Sequence, residues 1–165
     1  MAPPEVERTV QWSVLDRLID TDPASRAEAP LSWAQSVREL KRGLRRDLEW
    51  LLNTRRIVYP APEAFAELQE SLYHFGLPDV TSASAESTDA RNWLRRQVEE
   101  TITLFEPRLS GVRVTVGAVG DPGRREVRFV VEALHQMEPS PEQVVFDTVL
   151  EVSSSTFQVE GEADA

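Results

Sequence analysis

The sequence predicts an α+β domain, with N-terminal helices packed on one face of a small antiparallel β-sheet of three to four strands in the C-terminal half. Two observations predict it. Apolar residues recur at spacings of three and four as far as Phe105, then at alternate positions from Val112 onward. Helices come first and strands afterwards, the order expected when helices cover one side of an antiparallel sheet. A chain of 165 residues suits one domain, long enough to bury roughly 70 % of its unfolded surface. The expected organisation is a partly flexible arm over residues 1–31, one α+β domain over 32–159 and an acidic tail over 160–165.

The first 31 residues are rich in proline, alanine and charge, apart from one apolar cluster in SVLDRLID. Val14, Leu15 and Leu18 share a helical face there, which suits one or two turns that pack or dock. The segment SWAQSVRELKRGLRRDLEWLLNTRR is the clearest helix. Trp33, Val37, Leu40, Leu44, Leu48, Leu51 and Leu52 form its apolar stripe, and the pattern fades after Asn53 and Thr54. Ser32 with Gln35, or Ser36 with Glu39, supplies a capping box at its start. Gly43 is roughly 1 kcal/mol worse than alanine inside a helix, so it marks a close contact.

PEAFAELQESLYHFGLPD reads as a shorter helix whose stripe is Phe65, Leu68, Leu72 and Phe75. Gly76 suits a left-handed cap, and Pro78 prevents continuation. After the polar loop VTSASAEST, a third helix runs through DARNWLRRQVEETITLF with Leu94, Val98, Ile102 and Phe105 inward. Pro107 disfavours helical backbone at Glu106, so this helix ends near Phe105. GVRVTVGA and VRFVVEAL then read as an antiparallel hairpin around the Asp-Pro-Gly turn of AVGDPGRRE. QVVFDTVLEV is a third strand, apolar on both faces and expected to be covered on both. STFQV is a short fourth strand.

Composition narrows the function classes. The net charge of −10 argues against general nucleic-acid binding, which rests on phosphate neutralisation. The charge is uneven: basic residues outnumber acidic ones from Arg38 to Arg56, whereas Glu132 to Ala165 holds neither lysine nor arginine. Such asymmetry suits either a solvated helix face plus an acidic tail or a molecule that docks with orientation. Zero cysteines removes disulfides and thiol chemistry. No apolar run is long enough to span a bilayer, and the N-terminus shows no leader, so a cytoplasmic location is expected. His74 and His135 lie far apart in sequence with no clustered ligand beside them, so no metal or cofactor is expected. The phosphate-binding and serine-hydrolase signatures are missing as well, which leaves no small-molecule substrate in view.

Glu106, Pro107 and Arg108 stand at the change of period, two opposite charges around a rigid residue. Three uses suit them: a catalytic acid, a local ion pair, or a docking point for another protein. A glycosidase acid needs a raised pKa, and an arginine two residues away works in the opposite direction. No enzymatic activity is therefore expected.

SVLDRL, RDLEWLLNTRR, SLYHFGLPD, FEPRLSGVRV and VVFDTVLEV, in this order, resemble the TssE family of type VI secretion baseplate subunits. That family is similar to the phage tail baseplate wedge protein once labelled a tail lysozyme. The resemblance covers roughly residues 10 to 160. It implies a structural, cytoplasmic subunit joining the wedge proteins TssF, TssG and TssK to the first ring of the TssB–TssC sheath. The family's Glu-Pro-Arg motif falls on Glu106, Pro107 and Arg108, which the resemblance marks as partner-binding. The family's strands are thought to template the sheath. A stand-alone regulatory adaptor of the same fold, or a murein hydrolase, is the alternative.

Overall fold

In a computed structural model, the described residues are 12–19, 32–59, 61–62, 64–80, 87–117, 126–137 and 141–161. The element order is α1 (Val14–Leu18), α2 (Trp33–Asn53), α3 (Ala66–Gln69), a 3₁₀ turn (Leu72–His74), α4 (Thr88–Phe105), β1 (Leu109–Val116), β2 (Glu126–His135), β3 (Glu142–Glu151) and β4 (Thr156–Gly161). The four strands form an antiparallel sheet in sequence order. Helices lead and strands follow, so the chain is α+β as the change of period predicts. The predicted Asp-Pro-Gly turn lies outside the described residues.

Two long helices make one layer and the sheet makes the other. The capping box of α2 is the Ser32–Gln35 pair, with the Ser32 N–H donating to Gln35 Oε1 over 2.8 Å. Its stripe buries Leu40, Leu44, Leu48, Leu51 and Leu52, while Trp33 and Val37 stay half-buried. The inward face of α4 is Leu94, Val98, Thr101 and Ile102. These stripes meet Val127, Phe129 and Val131 of β2, Val144, Phe146 and Leu150 of β3, and Phe157 and Val159 of β4. α2 lies over β4 and α4 over β1.

The helices also cover the sheet's two edges. On β4, the Phe157 N–H donates to Asn53 Oδ1 over 2.8 Å, and Asn53 Nδ2 donates to the Phe157 carbonyl over 2.9 Å. On β1, the Val114 N–H donates to Glu99 Oε2 over 2.8 Å, and Arg95 Nη1 donates to the Val114 carbonyl over 3.3 Å. Each edge thus has one outward-facing peptide satisfied by a helix side chain. An uncovered edge strand recruits other chains, and such covering restrains it.

Two expectations change. The stretch from Phe65 to Phe75 is not one helix with a buried stripe: Phe65 and Leu72 are 58 % and 82 % exposed. Ser71 is the cause. Its hydroxyl donates to the Leu68 carbonyl and accepts from the Tyr73 N–H, so α3 stops and a new turn starts. The restart carries His74 inward, its Nδ1 3.0 Å from the Leu68 carbonyl.

Second, β3 is covered on one face only, with Val144, Phe146, Thr148 and Leu150 buried and the alternate residues at least partly open. The helices form a single layer on one side. Val145 and Val149 lie opposite Glu132 and Arg128 on the other face, where long charged side chains shield apolar neighbours with their stems. α1 forms as expected, and of the two uses open to it, packing is not the one seen for Val14, Leu15 and Leu18. They are exposed.

Gly76 is left-handed, at φ 96°, and a β-carbon there would stand 2.3 Å from the Thr54 carbonyl oxygen. That carbonyl accepts from the Leu77 N–H at 2.9 Å, so it cannot simply move away. Gly111, at φ 62°, has open space instead. Gly111→Ala should cost only the left-handed penalty of about 1–2 kcal/mol. Gly76→Ala adds a backbone clash and should cost clearly more, up to about 3 kcal/mol or beyond. Urea unfolding of the two variants side by side measures the difference.

Candidate functional site

The site begins where α4 is forced to stop. Pro107 excludes helical backbone from Glu106, which adopts φ −119° and ψ 79° while its N–H still closes the helix on the Ile102 carbonyl at 2.9 Å. A tight turn follows, with the Leu109 N–H donating to the Glu106 carbonyl over 3.1 Å, and β1 begins. The turn brings Glu106 and Arg108 together across the proline. Arg108 Nε donates to Glu106 Oε1 over 2.6 Å and Nη2 donates to Oε2, a two-pronged charge-assisted pair. The Arg108 N–H also points to Oε1, at 3.3 Å.

The pair is one end of a longer run of alternating charge. Arg108 Nη2 reaches Asp47 Oδ2 on α2 at 2.7 Å, and Arg46 Nη2 reaches Asp47 Oδ1 at 2.7 Å. The same Arg46 nitrogen holds Asp16 Oδ1 on α1 at 2.8 Å, and Ser13 Oγ donates to Asp16 Oδ2 over 2.6 Å. Glu106, Arg108, Asp47, Arg46 and Asp16 therefore alternate in sign from the β1 junction to α1. Arg46 also stacks on Trp50, 5.3 Å from the ring centroid. Gly43 leaves room for the end of this run, since a β-carbon there would lie 3.0 Å from both Asp16 carboxylate oxygens. The close contact predicted at Gly43 is this one.

The electrostatics follow from burial and pairing together. The Glu106 side chain is 8 % exposed and that of Arg108 24 %. Hydrogen bonding to Glu106 outweighs burial and, with Asp47, raises the Arg108 pKa. Burial works against charge on Asp16, but Ser13 and Arg46 outweigh it and hold that carboxyl below the ordinary carboxylate value. Burial likewise opposes the Arg46 charge, and Asp47 and Asp16 reverse it.

His135 is the residue that sequence reasoning missed. It is buried at the end of β2, opposite Leu109 of β1 and Glu142 of β3, and both ring nitrogens lack a hydrogen-bond partner. Burial, reinforced by the Arg108 charge, lowers its pKa against the pull of Glu106 and Glu142. It shares the alternate positions of Val127, Phe129, Val131 and Ala133, so its burial was legible from the period. Its charged neighbours were not. It lines a narrow groove with Val37, Leu40, Leu44, Met137 and Val144, beside a 2.9 Å Lys41–Glu142 ion pair. The groove is too tight for water, so it serves packing. Among the described residues no three histidine, cysteine or acidic side chains gather as a metal would require.

Removing Arg108 strands the buried Glu106 charge. Arg108→Met should therefore cost about 3–5 kcal/mol, and adding Glu106→Gln should restore part of the loss. Denaturant curves of the single and double variants check the sign of the coupling. The histidine gives a second test. Above its unfolded pKa near 6.5, His135 is neutral whether folded or unfolded and costs nothing. As pH falls through that value toward the lower folded pKa, only the unfolded chain takes up the proton, and stability drops. The loss in melting temperature between pH 7 and pH 5 should shrink in His135→Leu.

No helix among the described residues is long and apolar enough to cross a membrane. No curated protein matches the chain. The family model described as baseplate wedge protein gp25 matches residues 38–140, a stretch that holds most of α2, all of α4, β1 and β2, and the Glu106–Pro107–Arg108 junction. With more than half of its length matched, the chain belongs to the gp25 baseplate wedge family, the structural family that includes TssE.

Proposed function

We propose that this chain is a structural, non-enzymatic subunit of a type VI secretion baseplate, joining the wedge to the contractile sheath and helping to start sheath assembly. It would act in the cytoplasm, at the inner-membrane face where the baseplate assembles, with TssF, TssG and TssK on the wedge side and TssB and TssC on the sheath side. The observation that carries this reading is the family match across the Glu106–Pro107–Arg108 junction. The junction's geometry supports it. Glu106 is turned inward, Pro107 is exposed, and part of Arg108 reaches the surface. A proline and an arginine held by an internal charge run have little freedom left to lose on docking. In this reading Glu106 positions Arg108, while Pro107 and Arg108 meet the wedge. Both Glu106 oxygens are taken by Arg108, an arrangement suited to orientation rather than acid catalysis.

On the sheath side the geometry favours the far end of β4. Phe157 spends its outward peptide groups on Asn53. By the alternation of an antiparallel ladder, the next outward groups belong to Val159 and Gly161. A strand added there would complete the edge through main-chain hydrogen bonds. Gln158, by the same alternation, faces β3 and lies off the free edge.

Two variants separate the surfaces. Pro107→Ala leaves every charged partner in place and should lower recovery of wedge proteins by about five-fold, or ~1 kcal/mol. Gly161→Pro removes an N–H that faces away from β3, so it should spare wedge recovery and block sheath extension. Pull-down from the native host and fluorescence microscopy of the sheath read the two effects. The purified chain should leave peptidoglycan uncut. Normal wedge recovery by Pro107→Ala, or normal sheath growth with Gly161→Pro, would remove the corresponding surface from the reading.

A further inference from the structure

His135 stands where the sheet is easiest to open. It is the last residue of β2, and its ladder partners, Leu109 and Glu142, are the first residues of β1 and β3, so three strands end on one rung. The end of a ladder opens more readily than its middle. Yet this rung carries a side chain only 5 % exposed whose two ring nitrogens have no hydrogen-bond partner. Buried polar groups are nearly always paired, so an imidazole left unpaired at a strand end calls for a use. The rung also holds the Glu106–Arg108 junction. The Gln136 N–H, one residue on, donates to the Arg108 carbonyl over 3.0 Å, and Gln136 Nε2 donates to Ser110 Oγ.

The charges around the ring favour one outcome. Among the described residues, Glu106 and Arg108 face it from the α4–β1 junction, Glu142 from β3 and Lys41 from α2. Glu106 has both oxygens on Arg108, and Arg108 adds a positive charge of its own. Glu142 meets Lys41 through Oε1 and stands directly across the ladder from His135, on the same face. A protonated ring therefore has no acceptor inside the core and a carboxylate at the rim. We propose that His135 is an acid-operated latch: neutral, it closes the last rung; protonated, it leaves the core for Glu142, opens that rung and frees the Arg108 backbone from β2. The direction follows from linkage. A ring exposed by opening has the ordinary pKa near 6.5, whereas burial lowers that of the closed form. Below that value the open form binds the proton better, and its population gains up to about ten-fold per pH unit. Weaker wedge docking in acid follows only if Pro107 and Arg108 meet the wedge, so that consequence rests on the baseplate reading.

The test follows amide exchange in the full chain at pH 7 and pH 5, corrected for intrinsic rates, with Gln136 reporting the rung and Val131 the middle of β2. A series in dilute urea separates local from global opening, because only global opening steepens strongly with denaturant. Gln136 should show a shallower urea slope than Val131, and its protection should fall by about three-fold or more from pH 7 to pH 5. That fall should vanish in His135→Leu. Should His135→Leu not fold, Glu142→Gln serves instead. Losing the nearby anion should move the His135 ring titration, followed by NMR, to lower pH, and the loss of Gln136 protection with it. Equal urea slopes at the two amides, no fall in acid, a fall that persists in His135→Leu, or an unmoved ring midpoint in Glu142→Gln would overturn the latch. Wedge recovery that stays constant while Gln136 opens would keep the latch and end docking at Arg108.

Discussion

The guanidinium of Arg108 is the point at which the helical layer and the sheet are joined by charge. Two of its nitrogens hold both oxygens of Glu106, and Nη2 also reaches Asp47 in the middle of α2. Glu106 closes α4 two residues before Arg108, and Asp47 lies on α2, 61 residues away in sequence, so one guanidinium at the start of the sheet holds both long helices. A buried ion pair of this kind gains little over an apolar contact once desolvation is counted, but losing one member leaves the other stranded. Its value here is therefore specificity. The angle at which α4 hands over to β1 is set by a proline, and the register of α2 against that junction is set by charge. Apolar burial stabilises many relative placements of a helix on a sheet; an alternating run of charges accepts very few.

The same division of labour holds at the sheet edges. Apolar stripes on α2 and α4 supply the burial, while Asn53, Arg95 and Glu99 satisfy outward backbone groups at Phe157 and Val114. A side-chain amide offers an acceptor oxygen and a donor NH2 group, the kinds of group that a neighbouring strand would present. Asn53 at the last position of α2 thus imitates a short piece of fifth strand. The Arg95–Glu99 pair does the same on the other edge, its members bridged at 3.0 Å. A four-stranded sheet with one covered face has two edges to protect, and each long helix protects the one it lies over.

Much of this was legible from local pattern. The period of α2 and α4, the stop at Pro107, the left-handed Gly76 and the alternation of β1 and β2 are short-range facts, and they read correctly. What failed was decided by competition or by distance. Phe65 and Leu72 have helical spacing, but Ser71 offers its hydroxyl to the backbone and breaks the helix between them. Val145 and Val149 look like a second buried face, yet only one layer of helices exists to cover them. Glu106 and Arg108 are visible as a pair in the sequence. Asp47 is not, because nothing in RRDLEW says which of its charges will meet a residue 61 positions later. His135 was legible as buried and illegible as the neighbour of Arg108, since that proximity needs the strand register.

The charge run also explains how a chain of net charge −10 keeps so many arginines on its first long helix. Arg46 is used internally, between Asp16 and Asp47, and its face stacks on Trp50. Arginine suits that position where lysine would not, because a planar fork can hold two carboxylates and an aromatic face together. Each carboxylate in the run is satisfied by a cation that is itself held by the next carboxylate, so no member can reorient alone. That rigidity reaches α1, a helix of five residues far too short to be stable by itself. It is held by Asp16 and Ser13, not by its aliphatic side chains, which are left facing outward. Charge has taken over the anchoring that apolar contact usually performs, and the apolar side of the helix is thereby left exposed.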